Sequence, residues 1–501
     1  YVSDLEIFLV SPWGAEYNLA SRVGGDGDNF ENTVLGKRTY PSISTTSAPF
    51  TGTFSSQQSL GLANLGADGN GIWKLKIRDV YPQDQGFLLN WCISFSDSPC
   101  DLFPFSSSNL PVFIVNTNGQ SIQDEPKVNG YLQVLNQPAP NRNYVSDSLI
   151  ASKIPIGVET RGSSSQSFPK KSYGFEIRNP AGEDSSMALL DLPEQSDWIL
   201  SANYSDKTFM RNAFAYHLAR EMGRYAPRTR YVELMVNDEY QGIYVLTEKI
   251  KRDPNRVNIS RLKSTDTSGT NLTGGYIFKI DKTTGNDADF FPSQYPPASN
   301  GQGQLIRFLY DYPKVEDLHP KQKGYIRSYV DSFETALWTN NFDDQTGYRR
   351  FIDLGSFLDN FIVNEWSKNT DGYRISSYFT KPKVTQNGGK LIAGPVWDYD
   401  IAWRNANYCK GQSTSGWEID FPSECPDDSF QPPFWWKKFR QDPVFNNALR
   451  CRWNELTNSI MPLEKRTLWI DSVRNYLSEA LIRNFEVWPI LGQYVWPNPN
   501  P

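Results

Sequence analysis

Two short runs of this chain hold the residues best suited to chemistry. Trp366-Ser367-Lys368-Asn369-Thr370-Asp371-Gly372-Tyr373-Arg374 closes a helical pattern and enters a loop, and Ile392-Ala393-Gly394-Pro395-Val396-Trp397-Asp398-Tyr399-Asp400 follows, with Asp398 27 residues on from Asp371. A loop aspartate can accept or orient the proton of an attacking hydroxyl. A second aspartate after an apolar strand can hold Mg²⁺, and phosphoryl transfer needs both. The same residues have a plain structural reading in which Asp371 caps a turn and Asp398 or Asp400 caps a helix. Spacing alone leaves both readings open.

Upstream residues offer the complementary charge. A strand expected over Lys171–Ile177 alternates, which puts Lys171 on the side of Tyr173, Phe175 and Ile177, where a cation needs a carboxylate or a bound phosphate. Before it, Arg161-Gly162-Ser163-Ser164-Ser165-Gln166-Ser167 makes a small-residue loop. It could present N–H groups to a phosphate, with Arg161 and Ser163 as candidates, or simply turn a hairpin. A helix expected over Asp206–Met222, ended by Gly223, brings Phe214, Leu218 and Glu221 near one face. Glu221 is therefore a candidate partner for Lys171, or a frayed surface acid. Glu248, on the face of Tyr244 and Leu246, competes for that role or marks a hinge. Asp26 and Asp28, in a glycine-rich loop, either lend oxygens to Ca²⁺ or form a solvated turn.

The elements that must position these residues fall into two blocks. Over 1–98 short alternating strands are expected at Leu5–Val10, Trp73–Ile77 and Leu88–Phe95, with no helical period, so this block reads as an antiparallel β-sandwich. Residues 99–110 read as a Ser/Pro-rich linker. The block 111–496 reads as α+β. Strands are expected at Val112–Val115, Ile154–Thr160, Lys171–Ile177, Val232–Val236 and Gly242–Thr247, giving a sheet-rich lobe over about 111–250. Helices at Lys321–Leu337, Ser356–Lys368 and Arg466–Phe485 give a helical lobe over about 305–496. The Pro- and Asn-rich stretch 291–304 reads as a flexible insertion, and 496–501 as a linker.

Composition narrows the function. The 501 residues carry 50 Lys+Arg against 56 Asp+Glu, a net charge of −6 with no basic run, which argues against a nucleic-acid partner. Two histidines, His217 and His319, are too few for the usual zinc sites or for most Ser-His chemistry, so carboxylates must carry any catalysis. His217, beside Phe214 and Leu218, reads as a partly buried, hydrogen-bonded side chain. Fifteen Trp and 26 Tyr, with Gly, Pro and Asn between short apolar segments, are the look of a β-rich extracellular protein. Phe434-Trp435-Trp436 suits a core or a glycan-binding face. Five cysteines allow a Cys92–Cys100 bridge and one more among Cys409, Cys425 and Cys451. No run approaches 18 apolar residues, so no transmembrane segment is expected. The chain begins without Met or a signal peptide, which suggests a processed or partial product.

Several blocks are familiar. Tyr1-Val2-Ser3-Asp4-Leu5-Glu6-Ile7-Phe8-Leu9-Val10-Ser11-Pro12, Arg22-Val23-Gly24-Gly25-Asp26-Gly27-Asp28-Asn29-Phe30, Ala48-Pro49-Phe50-Thr51-Gly52 and Asn70-Gly71-Ile72-Trp73 resemble the proprotein-convertase P domain (P/Homo B). The resemblance covers nearly all of the first 98 residues and begins in mid-strand, so the opening strand is expected to be missing. It implies a jelly-roll-like sandwich that stabilises or escorts a protease and in some members holds Ca²⁺. No Ser nucleophile with a plausible His partner accompanies it, so peptidase activity is not expected.

Phe168-Pro169-Lys170-Lys171-Ser172-Tyr173, Met210 to Glu221, Tyr225-Ala226-Pro227-Arg228-Thr229, Tyr240 to Ile250 and Gly394-Pro395-Val396-Trp397-Asp398-Tyr399-Asp400 resemble the spore-coat CotH family of atypical protein kinases, in that family's order. This resemblance implies a two-lobed, protein-kinase-like fold that binds ATP with Mg²⁺ or Mn²⁺ and phosphorylates Ser or Thr of exported or surface proteins. Carried across, Lys171 holds nucleotide phosphates, Asp371 is the catalytic carboxylate, and Asp398 with Asp400 binds metal. Ser376 stands where a typical kinase has Asn for a second Mg²⁺, which puts two-metal binding in doubt. A secreted or cell-surface location follows from the same resemblances. Two other readings are a non-catalytic surface or adhesion protein within a larger assembly, and a protease accessory subunit.

Overall fold

Alternating apolar residues build the first sheet as expected. In the structure, a computed structural model that describes residues 1–38, 40–64, 69–81, 85–95, 103, 105–283, 289–298 and 305–500, the strand Leu5–Val10 lies between Glu16–Ser21 and Lys74–Asp79, antiparallel to both. Ile7 and Leu9 face inward and pack on Ala15, Tyr17 and Leu19. Phe30–Gly36 and Phe50–Ser55 pair in parallel beside them. Leu88–Phe95 departs from expectation. It makes no strand, and Phe87 and Leu89 are 89% and 90% exposed. Alternation supplies an apolar face, but a strand also needs a neighbour with free N–H and C=O groups, and the segment has none among the described residues. Residues 99–102 and 104 of the expected linker lie outside the described residues, and within the rest of it Ser107–Ser108 pairs with Asn143–Tyr144.

The chain forms two units. Tyr1–Ala202, Arg230–Leu246 and Tyr476–Pro489 make the first, and Asn203–Thr229, Thr247–Asn475 and Ile490–Pro501 the second.

In the first unit a seven-stranded barrel closes in the order Ile154–Arg161, Ser172–Ile177, Asp197–Ser201, Glu239–Glu248, Thr229–Val236, Val112–Asn116, Val128–Leu135. Five of these strands were expected. Phe113, Val158, Phe175, Trp198, Leu234 and Tyr244 fill the interior, so inward-facing positions pack against one another and closure leaves no open edge. The 1–95 segment is tied to the barrel by the Ser59 amide, which donates to Glu239 Oε1 at 2.9 Å.

The second unit sets helices against a five-stranded sheet ordered Phe290–Pro292, Arg307–Tyr312, Tyr276–Ile280, Ser377–Lys381, Ile392–Ala393. Its helices start where capping chemistry says they should. His319 and Gln322 form a capping box ahead of Pro320–Trp338, and Asp353 accepts the Ser356 amide at the start of Leu354–Ser367. Asp442 does the same for Pro443–Ser459. Their apolar faces bury Phe278, Phe308, Phe333, Phe357, Trp435 and Trp436 in one core, which assigns Phe434-Trp435-Trp436 to packing.

Two expectations need correction here. Phe291 does not begin a flexible insertion: it lies in a strand, 3% exposed, its ring packed edge-on to Phe278 and tilted against Phe308; residues 299–304 lie outside the described residues. The 496–501 stretch is no free linker either, because Trp496 stacks on Tyr408, the Asn407 amide donates to Pro497 O and Asn498 Nδ2 donates to Ser205 O. One disulfide joins Cys409 to Cys425, and Cys451 is an exposed thiol. Cys100, the expected partner of Cys92, lies outside the described residues.

One buried acid makes the second core sensitive to pH. Glu334, wholly buried, accepts from Ser293 Oγ and Trp435 Nε1, and burial pushes its carboxyl up to about 7. The folded state thus holds this proton more tightly than the unfolded chain. Its contribution to stability is full below pH 4.5, the ordinary glutamate value, and is lost as pH rises through about 7. Glu334→Gln keeps the acceptor without the charge. It is expected to gain about 1–3 kcal/mol relative to wild type between pH 5 and pH 8.5. Urea unfolding at the two pH values reads this, and an unchanged difference contradicts it.

A candidate active site in the second unit

The helix Leu354–Ser367 ends at Lys368, which takes left-handed φ of +48° and hands the chain to a tight loop. Within it the amides of Arg374 and Ile375 both return to the Asp371 carbonyl. Asp371 thus closes the turn with its backbone, which frees its carboxylate. Oδ1 accepts from Arg374 Nη2 at 2.7 Å and from the Tyr408 hydroxyl at 3.3 Å. The side chain is 21% exposed, and among the described residues nothing donates to Oδ2.

Arg374 holds this loop together. It is 3% exposed and every nitrogen is used: Nε donates to Thr370 O, Nη1 to Asp428 Oδ1 and Phe430 O, and Nη2 to Asp371. Its guanidinium also lies 4.2 Å from the centre of the Phe421 ring.

The second aspartate run approaches the first. Asp398 sits at φ +65°, in the left-handed region that aspartate adopts more readily than most residues with a Cβ. It is pinned on three sides: its amide donates to the Tyr216 hydroxyl, its carbonyl accepts Asn369 Nδ2 at 3.4 Å, and its Oδ2 accepts the Ser376 hydroxyl at 3.5 Å. Asn369 and Ser376 flank Asp371 in sequence, so the two aspartate loops are stitched to each other. Trp397, half-buried, stacks on Tyr216 with ring centres 5.8 Å apart.

Asp400 accepts from Ser205 Oγ at 3.1 Å, and burial, with the charges of Asp206 and Asp371 adding to it, pushes its carboxyl up to about 6. Asp206 is wholly buried and bonded to Arg211 Nη1 at 2.6 Å and to Thr208. Asp371, Asp398, Asp400 and Asp206 therefore share one neighbourhood, tempered by two arginines.

The donor set suits a hard cation: carboxylates, the Ser376 hydroxyl and Asn369 Oδ1, a fully buried amide oxygen with no hydrogen-bond partner among the described residues. No group of three or more His, Cys, Asp or Glu among the described residues could hold a metal ion by itself. A divalent ion here would need further oxygens, which a phosphate supplies.

The other expected residues sit as follows. Glu221 is held by Arg466 at 2.7 Å and lies 3.3 Å from His217, which stacks on Trp469. Glu248, wholly buried, is gripped by Arg228 through both oxygens. Both acids considered as partners for Lys171 thus serve arginines, because a fork of N–H donors matches a carboxylate better than a single ammonium does. In the first unit, Lys171 precedes its strand and donates to Gln166 O at 2.7 Å, with burial holding its ammonium below the usual lysine range. Gly162 takes φ +115°, and Ser163 precedes a 3₁₀ turn, Ser164–Ser167; the Gln166 amide donates to Ser163 O, and the amide of Phe168, just past the turn, to Ser165 O. Arg161 pairs in register with Ser172. The neighbouring Lys170 is fully buried against the Tyr244 ring, bonded to Ile243 O and Asn484 Oδ1. Asp26 and Asp28 are both exposed in the turn after Gly24 and Gly25.

Comparison with known proteins adds the family. The family described as CotH kinase protein matches residues 158–498. The chain belongs to the CotH kinase family. Residues 1–95 match the proprotein convertase P-domain. Leupeptin-inactivating enzyme 1 of Streptomyces exfoliatus is 32% identical over 95 residues, 19% of this chain and 16% of that protein. In this CotH chain, sequence reading missed Asp206, Asn369, Arg374 and Tyr408 as parts of the site. Only the Thr-Asp-Gly-Tyr-Arg spacing hinted at Arg374.

Arg374→Ala strips the neutralising cation from Asp371 and Asp428 and leaves two carbonyls unpaired. It is expected to lower stability by about 3–5 kcal/mol, with Arg374→Lys recovering only part because a point charge cannot fill a fork. Denaturant unfolding checks this, and an alanine variant as stable as wild type would remove Arg374 from the centre of the loop.

Proposed function

We propose that this chain transfers the γ-phosphate of ATP to Ser or Thr hydroxyls of exported or surface proteins. The observation that supports the reading is the stitching of the Asp371 and Asp398 loops to each other through Asn369 and Ser376. Asp371, with both donors on Oδ1, keeps Oδ2 to orient the acceptor hydroxyl and take its proton. Asp398, Ser376 and Asp400 would hold Mg²⁺ or Mn²⁺, which when bound neutralises charge on the phosphates. Lys171, with Arg161 and Ser163, is proposed for the nucleotide phosphates on the strength of the family likeness. Trp397 offers an aromatic face for a planar base.

The P domain is proposed as a docking or stabilising module for a secreted or surface location, with Asp26 and Asp28 as its candidate Ca²⁺ oxygens. That no described helix is long and apolar enough to cross a membrane is compatible with this.

Purified protein given labelled ATP with Mg²⁺ or Mn²⁺ should bind nucleotide and transfer label. Asp371→Asn should cut transfer at least about a hundredfold while keeping nucleotide binding, because it removes the proton acceptor and little else. Asp398→Ala should lose the metal dependence of binding. Binding and transfer both absent from the wild type would favour a non-catalytic surface protein.

A further inference from the structure

The segment 403–431, irregular apart from the helical turns Glu418–Asp420 and Phe421–Glu424, returns to Asp371 and its turn from both sides. On the near side Tyr408 donates to Asp371 Oδ1. The next two residues, Cys409 and Lys410, both take left-handed φ, +48° and +55°. Two such residues in succession are unfavourable for side chains with a Cβ and persist only where surrounding bonds impose them. Here the bonds are covalent and ionic: Cys409 is joined to Cys425, and Lys410 Nζ lies 2.5 Å from Glu424. Just beyond Cys425, Asp428 and Phe430 accept Arg374 Nη1, and Phe421 supports the same guanidinium. Both donors on Asp371 are thus oriented by one clasped loop. From outside, Trp496 stacks on Tyr408 with planes 5° apart, and Gly411 sits so close to Thr370 that a Cβ there would lie 2.4 Å from its Oγ1.

We propose that Tyr408 is a positioning residue for Asp371, and that the Cys409–Cys425 disulfide is the clasp that keeps it in place. The inference rests on the reading of Asp371 as the proton acceptor. A carboxylate free to rotate about χ1 and χ2 spends little time in the one orientation that meets a hydroxyl. Two donors on Oδ1 hold it and leave Oδ2 for the hydroxyl. Burial raises the Tyr408 hydroxyl far above its ordinary value, with the Asp371 charge adding to it, so the hydroxyl stays a donor at any working pH. Arg374 alone would neutralise the carboxylate, and the second donor sets its plane.

The test uses the full chain, with itself and casein as phosphate acceptors. Tyr408→Phe keeps the ring stacked on Trp496 and removes only the hydroxyl. It should lower kcat about ten- to a hundredfold with KM for ATP unchanged, because orientation and not nucleotide binding is lost. The double variant Cys409→Ser with Cys425→Ser should fall to a similar rate, and the triple variant no further, since both changes break one device. Dithiothreitol provides the same test without a cysteine variant that must fold. It passes two electrons and two protons to the disulfide, leaving two thiols as it closes to its own cyclic disulfide. It should slow the wild type and leave Tyr408→Phe unaffected. Wild-type kcat in Tyr408→Phe, a rise in KM in place of the fall in kcat, or multiplying effects in the triple variant overturns the inference alone. A wild type that transfers nothing to either acceptor overturns the phosphotransfer reading and this inference with it.

Discussion

A buried guanidinium is the constraint on which the site depends. Arg374 sits almost out of solvent, where an unpaired cation would be costly, so its neighbours must surround it with acceptors. Those acceptors come from two places: its own turn, through Thr370 and Asp371, and the disulfide loop, through Asp428 and Phe430. Satisfying one side chain thereby fixes the separation of two loops and the direction of one carboxylate. The apolar packing of the second unit supplies the dry surroundings that make this requirement strict.

The acids nearby are arranged by the same economy of charge. Four aspartates would repel one another if left bare. Arg211 takes Asp206 and Arg374 takes Asp371, while Asp398 and Asp400 have hydroxyl partners in Ser376 and Ser205. Two of the acids are thus paired with arginines and the other two are bonded to hydroxyls. Asp400 shows the cost, since burial beside Asp206 and Asp371 makes it hold its proton more tightly than an ordinary aspartate.

Legibility from sequence followed the range of the interactions involved. Leu5–Val10 was read correctly because alternation over six residues is a local signal, and the helices Pro320–Trp338 and Leu354–Ser367 because their apolar residues recur three and four apart. Leu88–Phe95 has the same alternation and is not a strand, because pairing is a property of two segments. The tail from Trp496 looked like a linker by composition, yet Asn498 and Trp496 find partners at Ser205 and Tyr408, nearly 300 and 90 residues away in sequence. Glu221 and Glu248 looked available until Arg466 and Arg228 arrived from other elements.

By itself the order of residues determined the family, the P-domain and CotH segments, and the two aspartate runs, because motif and periodicity are written along the chain. Tertiary structure alone decided that Asp206, Asn369, Arg374 and Tyr408 gather around those runs, and which cysteines join. The reason is physical: a hydrogen bond or a disulfide is chosen by distance in space, and distance between remote segments is set only when the core of the unit that holds them has packed.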